Sequence, residues 1–404
     1  MAEAKYDAIV VGAGPAGSAF AALAAKAGAN ILLLDKEKFP RDKVCGDAVG
    51  GKALNVLARL GLENEIVKLG FLRSSGIVFS SPRGDVVEIP LLPSGNGMSG
   101  GFVCKRKQFD AMVFANAKKN CETIEGAEVY DVIRNGARIV GVKAKVNGGE
   151  KEFRAKLIVG ADGFSSIIAI KAGVWKIEPD HFCSARRAYY KGVKGLKKNI
   201  EIHFLPECMP GYFWIFPLSD DEANVGVGML QNEISRRKLN LDKVFDACIN
   251  SKLFAGRFEG AVKEEMKGWS IPLASARRKC AGNGFILLGD AASLVDPFSG
   301  EGVGNGMKSA AIAADLLADK LLAGEIEEAD CLEYEKKLWE EIGNDVKSSY
   351  NLQKLGKNKF LLNFIIGKAK KSELVRNELA GMIANKEAKK KATDPSFYLK
   401  IILS

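Results

Sequence analysis

The sequence predicts a mixed α/β (α+β) fold in which a parallel-sheet domain is interleaved with an antiparallel-sheet domain and followed by C-terminal helices. An apolar strand, a glycine-rich turn and a small-residue helix open the chain over residues 6–27. Long alternating segments fill residues 183–229, a pattern typical of antiparallel strands. A second buried strand and glycine-rich helix start follow at residues 284–322, so the first domain is interrupted and then resumed. The predicted division is residues 1–174 with 275–325, then 175–274, and a helical region over 326–404.

The first turn matches the fingerprint of a Rossmann-like dinucleotide-binding domain. Gly12 permits the tight turn, Gly14 lets backbone N–H groups approach a pyrophosphate, and Gly17 lets the helix pack closely on the strand. A phosphate placed there would meet the positive end of the helix. Asp35 ends the next buried strand, where its carboxylate can accept from a ribose hydroxyl. Glycine turns can be purely structural, but the order strand, turn, helix, strand and acid favours dinucleotide binding.

Composition and motifs narrow the function classes. The chain has 404 residues, 47% of them apolar and 27% charged, which is an ordinary soluble composition. It shows no charged-then-apolar leader and no run of about 18 apolar residues, so a cytoplasmic protein without a membrane span is expected. The eight cysteines are scattered singly, which predicts reduced thiols. The chain has only two histidines, His181 and His203, which argues against a His-rich metal site and against most Ser/His/Asp hydrolase mechanisms. His203 is expected to face solvent or to be satisfied within a sheet.

The positive charge is concentrated near the C-terminus. The net charge is +10, and from Lys354 to the end 12 Lys/Arg stand against 4 Asp/Glu, a surplus of 8. The basic residues surround an apolar run at residues 360–366. Such a segment can hold an amphipathic helix on anionic lipid at the cytoplasmic membrane face, or it can be a solvated helix. No aromatic stacking platform or reader motif accompanies the charge, so nucleic-acid binding is not predicted.

Two further stretches point to a ligand cavity. Tyr212, Trp214 and Phe216 fall on one face of a predicted strand because side chains alternate. These rings can be plain core, or they can wall a pocket for a long apolar ligand. Residues 36–51 form a segment rich in glycine and charge close to the first turn, which predicts a loop that crosses the cofactor.

The second glycine-rich helix start indicates a flavin. A buried strand ends in Gly289-Asp290, and residues 296–307 then lead into a long alanine-rich helix. The N-terminus of that helix favours negative charge on a second part of the cofactor. A reduced flavin carries such charge at its pyrimidine end, and Asp290 can accept from a ribityl hydroxyl. A flavin is therefore the kind of cofactor that this second helix start favours.

Together these motifs resemble the FAD-binding set of the p-hydroxybenzoate hydroxylase-like flavoproteins. The set comprises the Gly12/Gly14/Gly17 fingerprint, Arg106 ahead of Phe109-Asp110, the box Gly160-Ala161-Asp162-Gly163, and Gly289-Asp290 with Pro297, Gly300 and Gly302. Within that group, two motifs resemble the geranylgeranyl reductase family, which includes archaeal digeranylgeranylglycerophospholipid reductases. They are Val44-Cys45-Gly46-Asp47 and Tyr212-x-Trp214-x-Phe216-Pro217, the latter followed by eight residues and Gly226.

The resemblance implies specific roles for these residues. FAD contacts are expected at Gly12, Gly14, Pro15, Ala16, Gly17, Asp35, Lys36, Cys45, Gly46, Ala48, Arg106, Val129, Asp162, Gly163, Gly289, Asp290, Pro297, Gly300, Gly302 and Val303. The resemblance also implies that Tyr212, Trp214 and Phe216 form a wall of the substrate cavity and are not plain core. Cys45 is expected at the flavin ring, as a contact or a proton relay, and a buried structural thiol is the alternative. Related hydroxylases usually carry an arginine where this chain has Ser166-Ile167-Ile168-Ala169, which disfavours a hydroxylase.

The function that the resemblance implies is reduction of isolated C=C bonds in geranylgeranyl chains of archaeal-type ether lipids. The alternatives are a menaquinone side-chain reductase, an FAD-dependent aromatic monooxygenase and a flavin-containing lipid carrier without turnover. An isoprenoid lipid is the expected substrate, and an external electron donor is required. Ferredoxin, reduced deazaflavin and NAD(P)H all stay open, because no second GxGxxG marks a separate nicotinamide domain and no cysteine cluster marks an iron–sulfur centre.

Overall fold

The computed structural model of the protein describes residues 5–91, 100–324 and 326–384. Its strands are β1 (Tyr6–Val11), β2 (Ile31–Asp35), β3 (Ala48–Val49), β4 (Leu72–Arg73), β5 (Gly76–Ser80), β6 (Val86–Pro90), β7 (Phe102–Val103), β8 (Glu122–Glu125), β9 (Ala127–Asn135), β10 (Arg138–Val146), β11 (Gly149–Gly160), β12 (Phe182–Lys191), β13 (Asn199–His203), β14 (Gly211–Pro217), β15 (Glu222–Leu230), β16 (Val262–Lys263), β17 (Lys267–Pro272), β18 (Ala281–Gly282) and β19 (Phe285–Leu287). Its helices are α1 (Pro15–Lys26), α2 (Gly51–Leu60), α3 (Glu63–Lys68), α4 (Arg106–Lys118), α5 (Ile167–Lys171), α6 (Gln231–Arg237), α7 (Leu241–Ile249), α8 (Val303–Ala323), α9 (Glu328–Leu355), α10 (Lys359–Lys371) and α11 (Glu373–Ala384).

The first sheet has the order β18-β19-β11-β1-β2-β8 and carries the nucleotide-binding turn at its centre. Strand β1 pairs in parallel with β2 and β11, and β11 pairs in parallel with β19. All five residues of β2 are buried, as expected for a strand of a parallel sheet covered on both faces. The alanine-rich helices α1 and α8 pack against each other. The predicted mixed α/β fold, with a parallel sheet resumed late in the chain, is confirmed.

The second sheet has the order β16-β12-β15-β14-β13-β5-β6, with β17 paired to β12. It is antiparallel except where β13 pairs in parallel with β5. Strands β5 and β6 come from residues 76–90, which the sequence-based division assigned to the segment 1–174. The sheet therefore extends beyond residues 175–274, because turn signals identify a hairpin without revealing which sheet edge it joins. The division at residues 174, 275 and 325 stays a prediction.

The C-terminal helices cover one edge of the second sheet. Helices α10 and α11 both contact β6, and Leu362 and Ile366 of α10 are buried there. Phe360, on the same helix, is 85% exposed. The basic residues beyond residue 384 lie outside the part of the chain that the structure describes. Within the described ranges, no helix is both long and apolar enough to cross a bilayer.

The second sheet carries a buried cluster of polar side chains. The His203 ring bonds Ser80 Oγ at 3.0 Å and Glu201 Oε2 at 3.1 Å. Arg257 donates two bonds to the Glu201 carboxylate, of 2.7 and 2.8 Å. His203 is thus satisfied within the sheet. Its burial lowers its pKa, so the ring is neutral at neutral pH.

Arg257→Leu is expected to lower the free energy of unfolding by about 3–5 kcal/mol, because the Glu201 carboxylate would stay buried without its bidentate partner. Urea denaturation followed by circular dichroism measures the loss. Lys194→Ala is the control, since Lys194 and Glu259 form an ion pair whose side chains are 61% and 78% exposed. Equal destabilisation by the two substitutions would contradict this account of the cluster.

Candidate active site

One cavity of about 1420 Å³ runs from the first sheet to the second. At one end it is lined by the turn after β1, by Asp35 and by the start of α8. At the other end it is lined by the aromatic strand β14 and by helix α10. The carboxyl ends of β1 and β2 thus open into the same space as the second sheet, as expected for a ligand site of an open parallel sheet.

The turn after β1 is built for close approach. Gly12 has a φ of +99°, and a Cβ there would lie 2.4 Å from the Ala161 carbonyl oxygen. A Cβ on Gly17 would lie 1.9 Å from the Gly12 carbonyl oxygen, so this glycine serves helix–strand packing, as predicted. A Cβ on Gly14 would lie 3.8 Å from the nearest atom, Arg41 Nη2. Space is therefore open at the position predicted to face the pyrophosphate.

Asp35 holds the turn as well as facing the cavity. Its Oδ2 accepts from the Ala13 N–H at 2.6 Å and its Oδ1 from the Glu37 N–H at 2.8 Å. Burial raises the pKa of this carboxyl, and the two backbone bonds oppose the rise. Sequence reasoning gave Asp35 only the ribose contact and missed this second role.

The start of α8 forms the second ligand-facing element. Gly302 is its N-cap residue, and Gly14 is that of α1. Neither N-cap glycine has a side chain that could cap its helix, so first-turn N–H groups, those after Pro15 in the case of α1, can face a ligand. Two uncapped helix N-termini on one cavity fit a cofactor that has anionic groups at two places, as FAD does.

The loop before α8 is anchored to α9. The Asp296 carboxylate accepts from the Ser299 N–H at 2.8 Å and from Ser349 Oγ at 2.6 Å. Gln353 Nε2 donates to the Pro297 carbonyl at 2.6 Å.

Two of the predicted FAD contacts, Pro297 and Gly17, lie outside the cavity lining formed by the described residues. All other FAD contacts expected from the resemblance line this cavity, and their contact with FAD stays a prediction.

Asp162 has a contact that the sequence did not reveal. This residue lines the cavity, but its carboxylate accepts from Ser166 Oγ and from the Ile167 N–H, both at 2.6 Å. Ser166 in turn accepts from the Ala169 N–H. Where related hydroxylases usually carry an arginine, this segment is the beginning of α5.

A buried ion cluster lies beside Cys45. Arg106 donates to both oxygens of Asp110, at 2.5 and 2.8 Å, and Arg41 donates to the same carboxylate at 2.5 Å. Sequence reasoning missed Arg41, which lines the cavity but belongs to no motif used above. Burial raises the pKa of the Cys45 thiol, and the positive charge of Arg106 opposes that rise. The thiol is therefore protonated at neutral pH and can donate a proton.

Tyr212, Trp214 and Phe216 line the cavity together. The register of β14 on β15 places Trp214 opposite Gly226 and Tyr212 opposite Gly228. A Cβ on Gly226 would lie 2.0 Å from Trp214 Cζ2, so the indole lies directly over this glycine. The spacing from the aromatic motif to Gly226 thus has a physical reason: the facing strand must leave room for the ring.

The apolar half of the cavity has walls that sequence reasoning did not assign. Hairpin β5–β6 contributes Ile77, Phe79, Val87 and Ile89, and helix α10 contributes Leu361, Leu362, Ile365 and Ile366. Alternation in the hairpin and the apolar run 360–366 were the available signals. Neither signal shows that both segments face one cavity.

A family described as "FAD binding domain" matches residues 5–338 of the chain. The chain belongs to this family. FAD is its cofactor, and the two uncapped helix N-termini and the glycine turn are the features of this structure that fit it.

Similar proteins include two classes of reductase. Digeranylgeranylglycerophospholipid reductase 1 of Methanopyrus kandleri is 30% identical over 83% of this chain and 86% of its own length. Menaquinone reductase of Mycobacterium tuberculosis is 33% identical over 78% of both chains.

Solved structures share the fold. A geranylgeranyl bacteriochlorophyll reductase-like protein from Thermoplasma acidophilum superposes with a TM-score of 0.82 at 23% identity, covering 96% of this chain and 98% of that one. A flavin-dependent brominase superposes with a TM-score of 0.78 at 24% identity, covering 97% and 99%. Since flavoproteins of different chemistry share this fold, the residues of the cavity must carry the functional argument.

Proposed function

We propose that the protein is an FAD-dependent reductase that hydrogenates isolated C=C bonds of geranylgeranyl chains, as in archaeal-type ether lipids. The observation that carries the proposal is the single cavity that joins the glycine turn and the α8 N-terminus to walls of aromatic and aliphatic side chains. An apolar chain bound along those walls would reach the cofactor site without crossing solvent. The names of the reductases at 30% and 33% identity support a prenyl substrate.

The residues of the cavity would position the alkene and exclude water. When bound, FAD supplies the hydride. An isolated alkene has no carbonyl that a protein dipole could polarise, so placement and dryness must provide much of the rate enhancement. The second carbon of the double bond must receive a proton, and the protonated Cys45 thiol in the cavity wall is the proposed donor.

Cys45→Ala tests this donor. The variant is expected to bind FAD normally and to reduce prenyl lipid at least about tenfold more slowly, since general acid catalysis contributes about 10²–10⁴-fold. Cys45→Ser, which keeps a hydroxyl donor of similar size, is the matched comparison and should lose less. Unchanged turnover of the alanine variant would remove Cys45 from the mechanism.

The proposed reaction is tested anaerobically. Protein reduced with dithionite is mixed with geranylgeranyl lipid, and flavin absorbance and product mass are followed together. Reoxidation with two mass units gained per reduced bond, one hydride and one proton, is the expected result. A flavin that stays reduced until air is admitted would contradict the proposal; oxygen-dependent product would then indicate a monooxygenase, and no product a carrier.

A menaquinone side chain is the second candidate substrate, supported by the menaquinone reductase at 33% identity. The same assay with menaquinone in place of the lipid separates the two, because the compounds differ in what the prenyl chain is attached to. The external donor, proposed to be ferredoxin, reduced deazaflavin or NAD(P)H, is identified by which of them reduces the bound flavin.

We further propose that the protein binds anionic membrane surfaces through α10. Its inner side lines the cavity, while Phe360 and Phe364 are 85% and 37% exposed beside Lys357, Lys359 and Lys368. Aromatic rings flanked by lysines are typical of helices that lie in the lipid interface. A lipid substrate would then reach the cavity from the membrane side of this helix.

Phe360→Ser is expected to weaken binding to vesicles of phosphatidylcholine and phosphatidylglycerol about tenfold, because burying a phenyl ring in lipid contributes about 1.5–3 kcal/mol. Co-sedimentation measures the binding. Val262→Ser is the matched control: Val262 is 66% exposed, but it lies on β16, at the opposite edge of the sheet from β6. Equal vesicle binding by the Phe360 variant and the parent protein would refute this surface.

A further inference from the structure

A buried polar side chain interrupts the row of glycines in β15. The strand places Gly228, Gly226 and Asn224 opposite Tyr212, Trp214 and Phe216. Gly226 leaves room for the Trp214 indole, but Asn224 is fully buried. Burying an amide is costly unless its hydrogen bonds are satisfied. Packing against Phe216 alone would therefore favour an apolar side chain at this position.

Asn224 makes three hydrogen bonds that join two parts of the site. Its Nδ2 donates to the Cys45 carbonyl at 2.7 Å and to Asp47 Oδ2 at 2.8 Å. Its Oδ1 accepts from the Trp214 indole N–H at 2.9 Å. The amide thus uses both of its N–H groups and its oxygen to connect the Cys45–Asp47 loop with the aromatic wall.

The loop at the other end of this connection is held in an unusual conformation. Asp47 is fully buried and has a φ of +68°, a region that non-glycine residues seldom adopt. Its Oδ2 also accepts from Tyr189 Oη at 2.8 Å. Burial raises the pKa of the Asp47 carboxyl to about 6, and the bonds from Asn224 and Tyr189 oppose that rise. The surrounding side chains therefore determine the loop conformation.

The loop and the aromatic wall are in direct contact. A Cβ on Gly46 would lie 3.0 Å from Phe216 Cε2 and 3.6 Å from Trp214 Nε1. A shift of the indole or of the loop by a few tenths of an ångström would therefore change the spacing between the predicted flavin contacts and the substrate wall.

We infer that Asn224 is a positioning residue that fixes the Cys45–Gly46 loop and the Trp214 indole relative to each other, so that the prenyl chain lies at a reactive distance from the flavin. This inference rests on the proposed reductase function. Asn224 itself lies behind the cavity wall and acts through the loop and the indole.

Two substitutions separate the arms of this connection. Asn224→Leu removes all three bonds, and it is expected to lower kcat for prenyl-lipid reduction at least about tenfold and to raise KM, since displacements of about 1 Å can cost 10²-fold. Asn224→Asp keeps an acceptor for the indole and loses the donor to the Cys45 carbonyl, and its carboxyl group would share a proton with the adjacent Asp47 carboxyl. It is expected to lower kcat with KM nearly unchanged. The visible circular dichroism of the bound flavin should change in both variants.

Arg257→Leu is the control for lost stability, because it disrupts a buried cluster in the same sheet away from the cavity lining. All proteins are assayed with saturating FAD below their unfolding temperatures, and Arg257→Leu should keep the parent kcat. Parent-like kcat and flavin dichroism in Asn224→Leu would overturn the positioning role and leave a structural one. If the unmodified protein fails to reduce any prenyl lipid, the reductase proposal fails instead, and an unchanged flavin dichroism would separately refute the contact with the loop.

Discussion

Gly226→Ala is expected to lower kcat/KM for prenyl lipid about 100-fold while the protein keeps its FAD, since a 1 Å misplacement can cost that much. The added methyl carbon would lie 2.0 Å from Trp214 Cζ2, so the indole must move. That movement would push it towards the bound chain and away from its bond to Asn224. Steady-state kinetics and the flavin absorbance of the purified protein measure the two quantities.

Gly228→Ala is the matched control for this prediction. It lies on the same face of the same strand, yet its Cβ would lie 3.7 Å from Trp214 Cζ3, an ordinary contact. Its kcat/KM should stay within about threefold of the parent value, since ordinary contacts need no repacking. Similar losses in both variants would show that the strand tolerates no side chain, and the account of Gly226 as space for the indole would be wrong.

Gly14→Ala is expected to weaken the affinity for FAD at least about tenfold without unfolding the protein, a change that corresponds to about 1.4 kcal/mol. Gly14 has a φ of −63°, which alanine adopts freely, and its Cβ would lie 3.8 Å from the nearest atom. The methyl group would therefore occupy the space into which the pyrophosphate must fit. Equilibrium dialysis of FAD and a thermal melt of the cofactor-free protein separate binding from folding.

Gly17→Ala supplies the contrasting case. Its Cβ would lie 1.9 Å from the Gly12 carbonyl oxygen. The substitution should therefore weaken FAD binding and also lower the melting temperature of the protein measured without FAD. Full FAD binding by Gly14→Ala would refute the placement of the pyrophosphate at this turn.

The glycine motifs allowed much of the fold and of the cofactor end to be predicted from the sequence. Gly12, Gly17 and Gly226 each stand where there is no room for a side chain, and such glycines are visible in the sequence. The pairing of the hairpin at residues 76–90 has no such signal, because its alternation predicts two strands but not that β5 joins β13. The same holds for α10, whose apolar run is compatible with solvent, membrane or cavity.

Hydrogen-bonded side chains were the hardest to predict. The glycines that neighbour Asn224 in β15 indicate only that the facing rings need room. The hydrogen-bond partners of Asn224 lie far away in sequence, at Cys45 and Asp47. Arg41 shares the Asp110 carboxylate with Arg106, although only Arg106 belongs to a motif. Such pairs depend on the tertiary fold and leave no periodic pattern.

The late return of the chain to the first sheet has a consequence for biosynthesis. The glycine turn after β1 emerges from the ribosome early, but β19 and the N-terminus of α8 emerge only after the whole second sheet. An early fragment has one of the two helix N-termini that face the cofactor, and its parallel sheet lacks β11 and β19. Because domains fold as units during synthesis, we expect FAD to bind only after the start of α8, at Val303, has emerged. Nascent chains that stop before α8 are therefore expected to be cofactor-free and to depend on chaperones until synthesis resumes.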